Sequence, residues 1–217
     1  MIYSRIICLV IGYIFGLFQT GYIYGKAHNI DIREHGSGNA GTTNTLRTLG
    51  WKAGLITFLG DLCKAMLAIL IAWLLFRERY PEYVKVLQMY AGLGAVLGHN
   101  YPFYLKFKGG KGIACTAGFI LACFWQAAPV CLILFILSVV ITRYVSLGSI
   151  LVVISFFIQL VAFGQAGIIH LTAESRVEVY ILGAVFTLLA LWRHRENIKR
   201  LLKGQENKFG TSKKEVK

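Results

Sequence analysis

Residues 52–76 read KAGLITFLGDLCKAMLAILIAWLLF, an apolar run long enough to cross a lipid bilayer as one helix. A crossing helix needs about 20 predominantly apolar residues. Beyond its first residue the run contains two charges, Asp61 and Lys64, which one helical turn places side by side. Charges at this depth are costly, so the favoured interpretation is a structural ion pair, with a functional pair as the alternative.

Six more apolar runs lie along the chain, at residues 4–24, 83–97, 112–125, 128–142, 146–163 and 177–192. Apolar residues make up 56% of the 217 residues and charged residues only 15%, and the mean hydropathy is +0.61. A soluble domain carries about 25% charged residues. We predict an all-α, polytopic integral membrane bundle of about seven transmembrane helices, forming a single domain over 1–217 with a flexible basic tail at 208–217.

The cations predict how the bundle is oriented. Gln126 and Pro129 interrupt the stretch 112–142, which we interpret as two helices in a short hairpin; one long tilted helix is the alternative. With seven crossings, 17 Lys and Arg residues share the side of the C-terminus and 5 share that of the N-terminus. Because cytoplasmic loops are enriched in Lys and Arg, we expect the C-terminus in the cytoplasm and the N-terminus outside.

Three polar islands separate the apolar runs, at residues 36–47, 98–112 and 194–208. The predicted orientation places all three in the cytoplasm, where they could converge on one anionic substrate beside the lipid. The first island, GSGNAGTTNTLR, contains G-x-G-x-x-G, but no strand precedes it, which argues against a dinucleotide site. Small residues still let backbone N–H groups and hydroxyls approach an anion, and Arg47 adds charge. A flexible inter-helix loop is the alternative.

The second island, GHNYPFYLKFKGGKG, interleaves lysines with glycines just before an apolar helix. This pattern favours a phosphate cradle at the N-terminus of that helix, where the dipole attracts negative charge. An ordinary cationic anchor explains the lysines but not Gly109, Gly110 and Gly112. The island is not a Walker A motif, because Gly112 follows Lys111.

The third island begins HRENIKRLLKG and is predicted to continue the last helix. Helical spacing places His194, Asn197 and Leu201 on one face, toward the mouth of the bundle. A basic amphipathic helix on the membrane surface is the alternative. Ser146 lies at a further cytoplasmic junction between helices.

Several other chemistries are excluded by pattern. The cations flank apolar spans, which argues against a nucleic-acid partner. The five cysteines have no C-x-x-C spacing and the five histidines no H-E-x-x-H spacing, so no metal site is predicted. No acidic residue stands five positions after a histidine, unlike in the common H-x-x-x-x-D acyltransferases, and no G-x-S-x-G elbow is present.

The three islands, in this order, resemble the motifs of the bacterial acyl-phosphate-dependent glycerol-3-phosphate acyltransferases. The family patterns are similar to G-S-G-N-x-G-x-T-N-x-x-R, G-H-x-F-P-x-F-L-x-F-K-G-G-K-G and H-R-x-N-I-x-R-L-x-x-G, and the R-Y-x-S run at 143–146 is a fourth agreement. Ala40, Thr42, Tyr101 and Tyr104 depart mildly from these patterns.

The resemblance implies an acyltransferase that moves a fatty acyl group from acyl phosphate to the sn-1 hydroxyl of glycerol 3-phosphate. The products would be lysophosphatidic acid and phosphate, in phospholipid biosynthesis. It also implies a multi-pass protein of the bacterial inner (plasma) membrane, with a cytoplasmic active site beside membrane lipids. No cofactor and no obligate protein partner are expected.

Site residues follow from the matching motif positions. Ser37 and Gly38 are expected to hold the acyl phosphate, while Gly109, Gly110 and Lys111 shape the phosphate cradle. Glycerol 3-phosphate is expected to contact Arg47, Lys108, Ser146, His194 and Asn197, and the remaining substrate-binding candidates are Asn39, Thr43, Asn44 and Lys106. The general base is left open between a phosphate oxygen of the donor and His99 or His194.

One alternative from another class is a membrane transporter of anionic phosphate esters, which could use the intramembrane Asp61 and Lys64. Transporters commonly show inverted repeats around a midplane site, and no repeat is evident here. A non-catalytic scaffold would leave the glycine-rich islands unexplained.

Overall fold

The protein, seen in a computed structural model that describes residues 1–210, is all-helical over that range. Residues 211–217, most of the predicted basic tail, lie outside the described residues. The helices are α1 (Ile2–Gly16), α2 (Thr20–Ala27), α3 (Thr42–Leu49), α4 (Trp51–Phe76), α5 (Val84–Asn100), α6 (Ile113–Cys123), α7 (Ala128–Thr142), α8 (Val145–Gln165), α9 (Ala173–Arg193) and α10 (Arg195–Leu202).

Each of the seven apolar runs contains a helix, and α7 has the predicted bounds. Within residues 1–210, five helical stretches are long and apolar enough to cross a membrane: Ile2–Ala27, Trp51–Phe76, Trp125–Thr142, Val145–Gln165 and Ala173–Arg193. By contrast, α5 has 17 residues and α6 only 11. An integral membrane protein is therefore supported, while the count of seven crossings stays a prediction.

The first apolar run is not one continuous helix as predicted, because it breaks between α1 and α2 at residues 17–19. Gln19 is buried at the break, and its Nε2 donates to the carbonyls of Gly16, Gly98 and His99 at 3.0–3.2 Å. These carbonyls belong to the last turns of α1 and α5. Carbonyls in the last turn of a helix have no hydrogen-bond donor within that helix. The Gln19 amide donates to the terminal carbonyls of both helices and so joins α1 to α5.

Glycines allow α1 and α5 to pack with their backbones in contact. Gly12 and Gly16 on α1 face Gly94 and Gly98 on α5, and a Cβ at any of the four would collide with backbone atoms of the other helix. Small residues four positions apart are typical of close helix pairs in membranes. Nearly all of α5 is buried, so this helix has a central position in the bundle.

The predicted hairpin at Gln126 and Pro129 is correct in separating two helices but wrong in their packing. A 3₁₀ turn, Trp125–Ala127, lies between α6 and α7. The helix α6 packs mainly against α4 and α5, whereas α7 packs against α8. The cause is a buried aromatic cluster at this turn, in which Phe119 and Phe124 meet Phe156 of α8 with ring centroids 5.6–5.7 Å apart.

The third island does not continue α9 as one helix, contrary to prediction. His194 lies between α9 and α10 with φ −99° and ψ 5°. Its Nδ1 lies 2.8 Å from the Ala190 carbonyl oxygen, and this side-chain bond accompanies the departure from helical backbone geometry. The break turns α10 across the end of the bundle, where His194 and Asn197 are both buried.

Candidate active site

The three islands meet in one cavity of about 830 Å³ at one end of the bundle. Most of the predicted site residues line it: Ser37, Gly38, Asn39, Thr43, Asn44, Arg47, His99, Lys108, Gly109, Lys111, Ser146, His194 and Asn197. Lys106 and Gly110 are predicted site residues outside this lining. The structure thus brings together segments that are more than 150 residues apart in the sequence.

Four helices begin in the cavity wall. The first residues of α3, α6, α8 and α10, namely Thr42, Ile113, Val145 and Arg195, all line it. No side chain caps any of these four N-termini. Unpaired backbone N–H groups and the positive end of each helix dipole make such termini binding sites for anions. Their convergence favours a ligand with more than one negative charge.

The first island is held in shape by Asn44. Its Oδ1 accepts from the Ser37 backbone N–H at 2.7 Å, and its Nδ2 donates to the carbonyls of Ile32 and His35 at 2.9–3.0 Å. Because these bonds engage the whole amide, Asn44 positions the loop rather than offering a free group. Ser37 and Gly38 are exposed at the loop tip, and Gly38 has φ +68°.

In the second island, the chain reverses through two consecutive residues with left-handed backbone, immediately before Lys108. Lys106 and Phe107 have φ of 54° and 59°, and Lys108 follows them into the cavity lining. Lys106 is exposed and does not reach that lining. Its predicted contact with substrate is therefore not supported by the geometry, because the reversal of the chain directs only one of these two lysines to the cavity.

Arg193 anchors the glycine loop and was not among the predicted site residues. Its Nη2 donates to the carbonyls of Gly109 and Gly110 at 3.3 and 2.7 Å, and its guanidinium stacks over the Tyr101 ring at 5.0 Å. A Cβ at Gly110 would collide with the His99 imidazole, which explains the need for glycine. In the sequence Arg193 is only one of several juxtamembrane cations, so no local signal distinguishes it.

Several polar groups of the cavity have no partner within residues 1–210. The hydroxyls of Ser146 and Thr42 and the Nε of Arg193 are buried without a hydrogen bond. Arg47 and Lys108 make no ion pair with a carboxylate in the same range. Buried polar groups are rarely left unsatisfied, so the two hydroxyls and the Arg193 Nε indicate the position of a ligand, and the two cations are available to bind an anion there.

A hydrogen-bond network crosses the cavity beside α10. Lys111 Nζ donates to Asn197 Oδ1 at 2.5 Å, and Asn197 Nδ2 donates to Glu206 Oε1 at 3.1 Å. Burial lowers the pKa of Lys111 to about 8; the Glu206 carboxylate raises it, and nearby arginines lower it further. Glu206 is not a predicted site residue, because it lies in the last part of the third island, beyond the motif that ends at Gly204.

His99 is bound to the predicted ion pair of α4. Lys64 Nζ donates to Asp61 Oδ1 at 2.7 Å, to the Phe18 carbonyl at 2.6 Å and lies 2.9 Å from His99 Nδ1. An ammonium group has three protons and no acceptor, so His99 Nδ1 accepts the third. A neutral His99 then carries its proton on Nε2 and acts as a donor.

Asp61, His99 and Cys115 also place possible metal ligands within 4.8 Å of one another. The Lys64 ammonium already contacts two of the three, so a metal ion would have to displace it. We interpret this cluster as an ion-pair network.

His194 has the opposite tautomer from His99. Its Nδ1 lies 2.8 Å from the Ala190 carbonyl oxygen, which can only accept, so Nδ1 is the protonated nitrogen. Burial lowers the pKa of His194 to about 4, and the Lys111 charge acts in the same direction. At neutral pH the ring therefore carries no charge and has its lone pair on Nε2, as an acceptor.

Comparison with known proteins gives a consistent result. A family model described as glycerol-3-phosphate acyltransferase matches residues 6–204. The glycerol-3-phosphate acyltransferase of Alkaliphilus metalliredigens is 43% identical over 209 residues, covering 95% of this chain and 96% of that protein. That of Clostridioides difficile is 42% identical over 217 residues, covering 98% of each.

Two crystal structures are similar over 96% of each chain at 35% sequence identity. Both are of PlsY (YgiH), an integral membrane glycerol 3-phosphate acyltransferase. The TM-score is 0.82 for its glycerol 3-phosphate form and 0.80 for its lysophosphatidic acid form.

Proposed function

This chain belongs to the glycerol-3-phosphate acyltransferase family, and we propose that it takes its acyl group from acyl phosphate and forms lysophosphatidic acid. It is an integral membrane enzyme that acylates glycerol 3-phosphate. The identity of the donor, the position acylated and the roles of individual residues belong to the proposal.

The convergence of four uncapped helix N-termini on one cavity carries this proposal. Acyl phosphate and glycerol 3-phosphate each carry a phosphoryl group, so their complex brings together two anions that repel each other. Helix termini and fixed cations offset this repulsion without reorganising during the reaction. An acyl thioester has no phosphate at its reacting carbon, so it would not need a second phosphate site beside the acceptor hydroxyl.

We assign the two anions to different sets of cavity residues. Ser37, Gly38 and the uncapped start of α3 would hold the phosphate of the donor, beside the apolar side chain of Phe58. The Ser146 hydroxyl, which has no partner within residues 1–210, would hold glycerol 3-phosphate. The other residues assigned to glycerol 3-phosphate are Arg47, Lys108, His194 and Asn197.

The proposed reaction needs no protein nucleophile. The sn-1 oxygen of glycerol 3-phosphate forms a bond to the acyl carbon, the bond from that carbon to the phosphate oxygen breaks, and inorganic phosphate leaves. The hydroxyl proton passes to the leaving phosphate. Holding the hydroxyl beside an activated acyl group converts a bimolecular reaction into an intramolecular one, which accelerates it strongly.

The tautomers of the two histidines support the donor phosphate as the proton acceptor. His99 Nδ1 is occupied by Lys64, so its ring is a donor. His194 can accept a hydrogen bond at Nε2, but a pKa of about 4 makes it a weak base. We therefore assign His194 to orienting an acceptor hydroxyl and His99 to donating a hydrogen bond.

We also propose that the protein crosses the bacterial plasma membrane seven times, with the cavity open to the cytoplasm. The 17 to 5 distribution of cations supports this orientation. A single cysteine at exposed Lys106, in a variant without native cysteines, tests it. Impermeant thiol reagents should label that cysteine in inverted vesicles and not in intact cells.

A donor-selection experiment tests the function. Purified protein with radiolabelled glycerol 3-phosphate should form lysophosphatidic acid from palmitoyl phosphate and release one phosphate per product, but not from palmitoyl-CoA. Product formation from the thioester alone would refute the proposed donor. Accumulation of glycerol 3-phosphate in vesicles without product would favour a transporter.

A further inference from the structure

The segment after α10, residues 204–210, contributes Gln205, Glu206 and Asn207 to the cavity lining and so brings a carboxylate into it. Glu206 lines the cavity, and its side chain is only 5% exposed. The family model ends at residue 204, so this carboxylate lies beyond the shared motifs. Glu206 has no role in the proposed reaction.

Glu206 accepts hydrogen bonds from two residues of the cavity lining. Its Oε1 accepts from Asn197 Nδ2 at 3.1 Å, and its Oε2 accepts from Arg200 Nε at 3.0 Å. The other side of the Asn197 amide is occupied by Lys111 at 2.5 Å. Glu206 and Lys111 thus occupy one of the two Nδ2 hydrogens and the Oδ1 of Asn197, so a ligand can use only the second Nδ2 hydrogen while Glu206 remains bound.

The remaining carboxylates of the cavity lining are neutralised elsewhere. Asp61 is paired with Lys64 at 2.7 Å, and Glu196 lies 3.2 Å from Lys199 with a side chain 57% exposed. Among the described lining residues, Glu206 is thus the carboxylate that contacts a proposed substrate ligand. Its two oxygens bind donors in the way that two phosphate oxygens would.

At its C-terminal end, the segment is held by hydrogen bonds between Phe209 and Arg143. The Phe209 N–H donates to the Arg143 carbonyl at 2.6 Å, and the Arg143 guanidinium donates to the Phe209 carbonyl at 2.9 and 3.1 Å. At its near end Gly204 has φ +65°, where the chain turns away from α10. Both Phe209 and the Arg143 side chain are at the surface, so release exposes little apolar area.

We propose that Glu206 is an internal competitor of glycerol 3-phosphate, occupying the phosphate position at Asn197 and Arg200 until the substrate displaces it together with residues 205–210. This inference rests on the proposed assignment of glycerol 3-phosphate to Asn197. A phosphate and a carboxylate bound to the same donors would repel each other, so one must leave. Glu206 would thereby set the affinity for glycerol 3-phosphate.

The direction of change in KM tests this inference. Glu206→Gln should lower KM for glycerol 3-phosphate and the inhibition constant of inorganic phosphate by roughly 3- to 10-fold, as expected for removal of one partly screened charge. Glu206→Ala should do the same. Glu34→Gln is the control. It removes an exposed charge just before the first island, at a residue outside the cavity lining, and it should change both constants less than about twofold.

An unchanged or raised KM in both Glu206 variants would overturn the inference, because it would mean that Glu206 supports the site. Hydrogen–deuterium exchange of wild-type protein gives an independent measurement. Saturating glycerol 3-phosphate should increase exchange at the Phe209 amide by breaking its bond to Arg143, and increased protection would overturn the inference.

The exchange measurement also separates this inference from the proposed function. If palmitoyl phosphate gives no product but glycerol 3-phosphate still binds and releases the segment, only the proposed donor fails. If product forms normally while the Phe209 amide becomes protected, only the competition by Glu206 fails.

Discussion

Replacing Lys64 with methionine should destabilise the bundle strongly. The substitution keeps most of the apolar stem but removes the ammonium from Asp61, which is 1% exposed. Asp61 would retain the Thr20 hydroxyl at 3.3 Å, which does not replace a full charge at 2.7 Å. The Phe18 carbonyl would lose its 2.6 Å donor as well.

The magnitude follows from the cost of a buried charge without its partner. Removing one member of a buried ion pair costs about 3–5 kcal/mol. In a protein of this size 1 kcal/mol corresponds to about 2–4 °C, so the melting temperature should fall by roughly 6–20 °C. Asp61→Asn combined with Lys64→Met removes both charges and should recover to within about 2 kcal/mol of the wild type.

Native cysteines provide the assay. Cys8, Cys115, Cys123 and Cys131 are buried, and Cys63 is exposed. A thiol-reactive fluorogenic dye added during a thermal ramp in detergent therefore reports unfolding as the four buried thiols become accessible. Lys85→Met is the matched control: Lys85 donates to the Cys123 carbonyl at 2.6 Å but has no carboxylate partner within residues 1–210. It should lose only about 1 kcal/mol.

Two results would refute this reasoning. Lys64→Met could unfold no earlier than the Lys85→Met control, which would mean that Asp61 is not charged in the folded protein. Alternatively, the double variant could be no more stable than Lys64→Met, which would mean that the loss comes from packing or from the Phe18 carbonyl rather than from the isolated carboxylate.

Three further predictions concern the cavity. Ser146→Ala should raise KM for glycerol 3-phosphate by roughly 10- to 100-fold. It should not lower the melting temperature, because the buried Ser146 hydroxyl has no partner within residues 1–210. The control Ser138→Ala removes another such hydroxyl, outside the cavity lining, and should leave KM unchanged. Gly110→Ala should lower kcat/KM at least about tenfold, because the added methyl displaces the loop from His99; wild-type kinetics would contradict this. Lys111, with a pKa of about 8, loses its charge as the pH rises through that value. The Kd for glycerol 3-phosphate, measured by calorimetry, should therefore rise above pH 8. Lys111→Arg should abolish that rise.

The helical architecture could be predicted because membrane length and hydropathy are local properties of the chain. The bounds of α7 and the separation of α6 from α7 follow from Pro129 and the apolar runs beside it. The break after α1 could not be predicted in this way, because it depends on Gln19 meeting carbonyls of α5 some 80 residues later in the sequence. Hydropathy contains no information about such a contact.

Most of the residues predicted from the motifs line the cavity, but the motifs do not say which side chains reach it or what holds them there. Lys106 and Lys108 look equivalent in the sequence, and only the left-handed backbone at residues 106–107 decides which of them lines the cavity. The spacing of Asp61 and Lys64 predicts their pairing, yet the third partner, His99, comes from another helix. Arg193 and Glu206 have no local pattern. Arg193 is positioned by its bonds to Gly109 and Gly110, more than 80 residues earlier, and Glu206 by its bonds to Asn197 and Arg200 within the third island.

Two kinds of group make the cavity electropositive, and they respond differently to substitution and to pH. Side-chain cations are titratable or removable, and Lys111 is half neutral near pH 8. The four uncapped helix N-termini are backbone features that no single side-chain substitution removes. Loss of one lysine should therefore weaken anion binding without abolishing it. A change that displaces a whole terminus, such as a methyl at Gly110 pressing the loop before α6 away from His99, moves several donors at once.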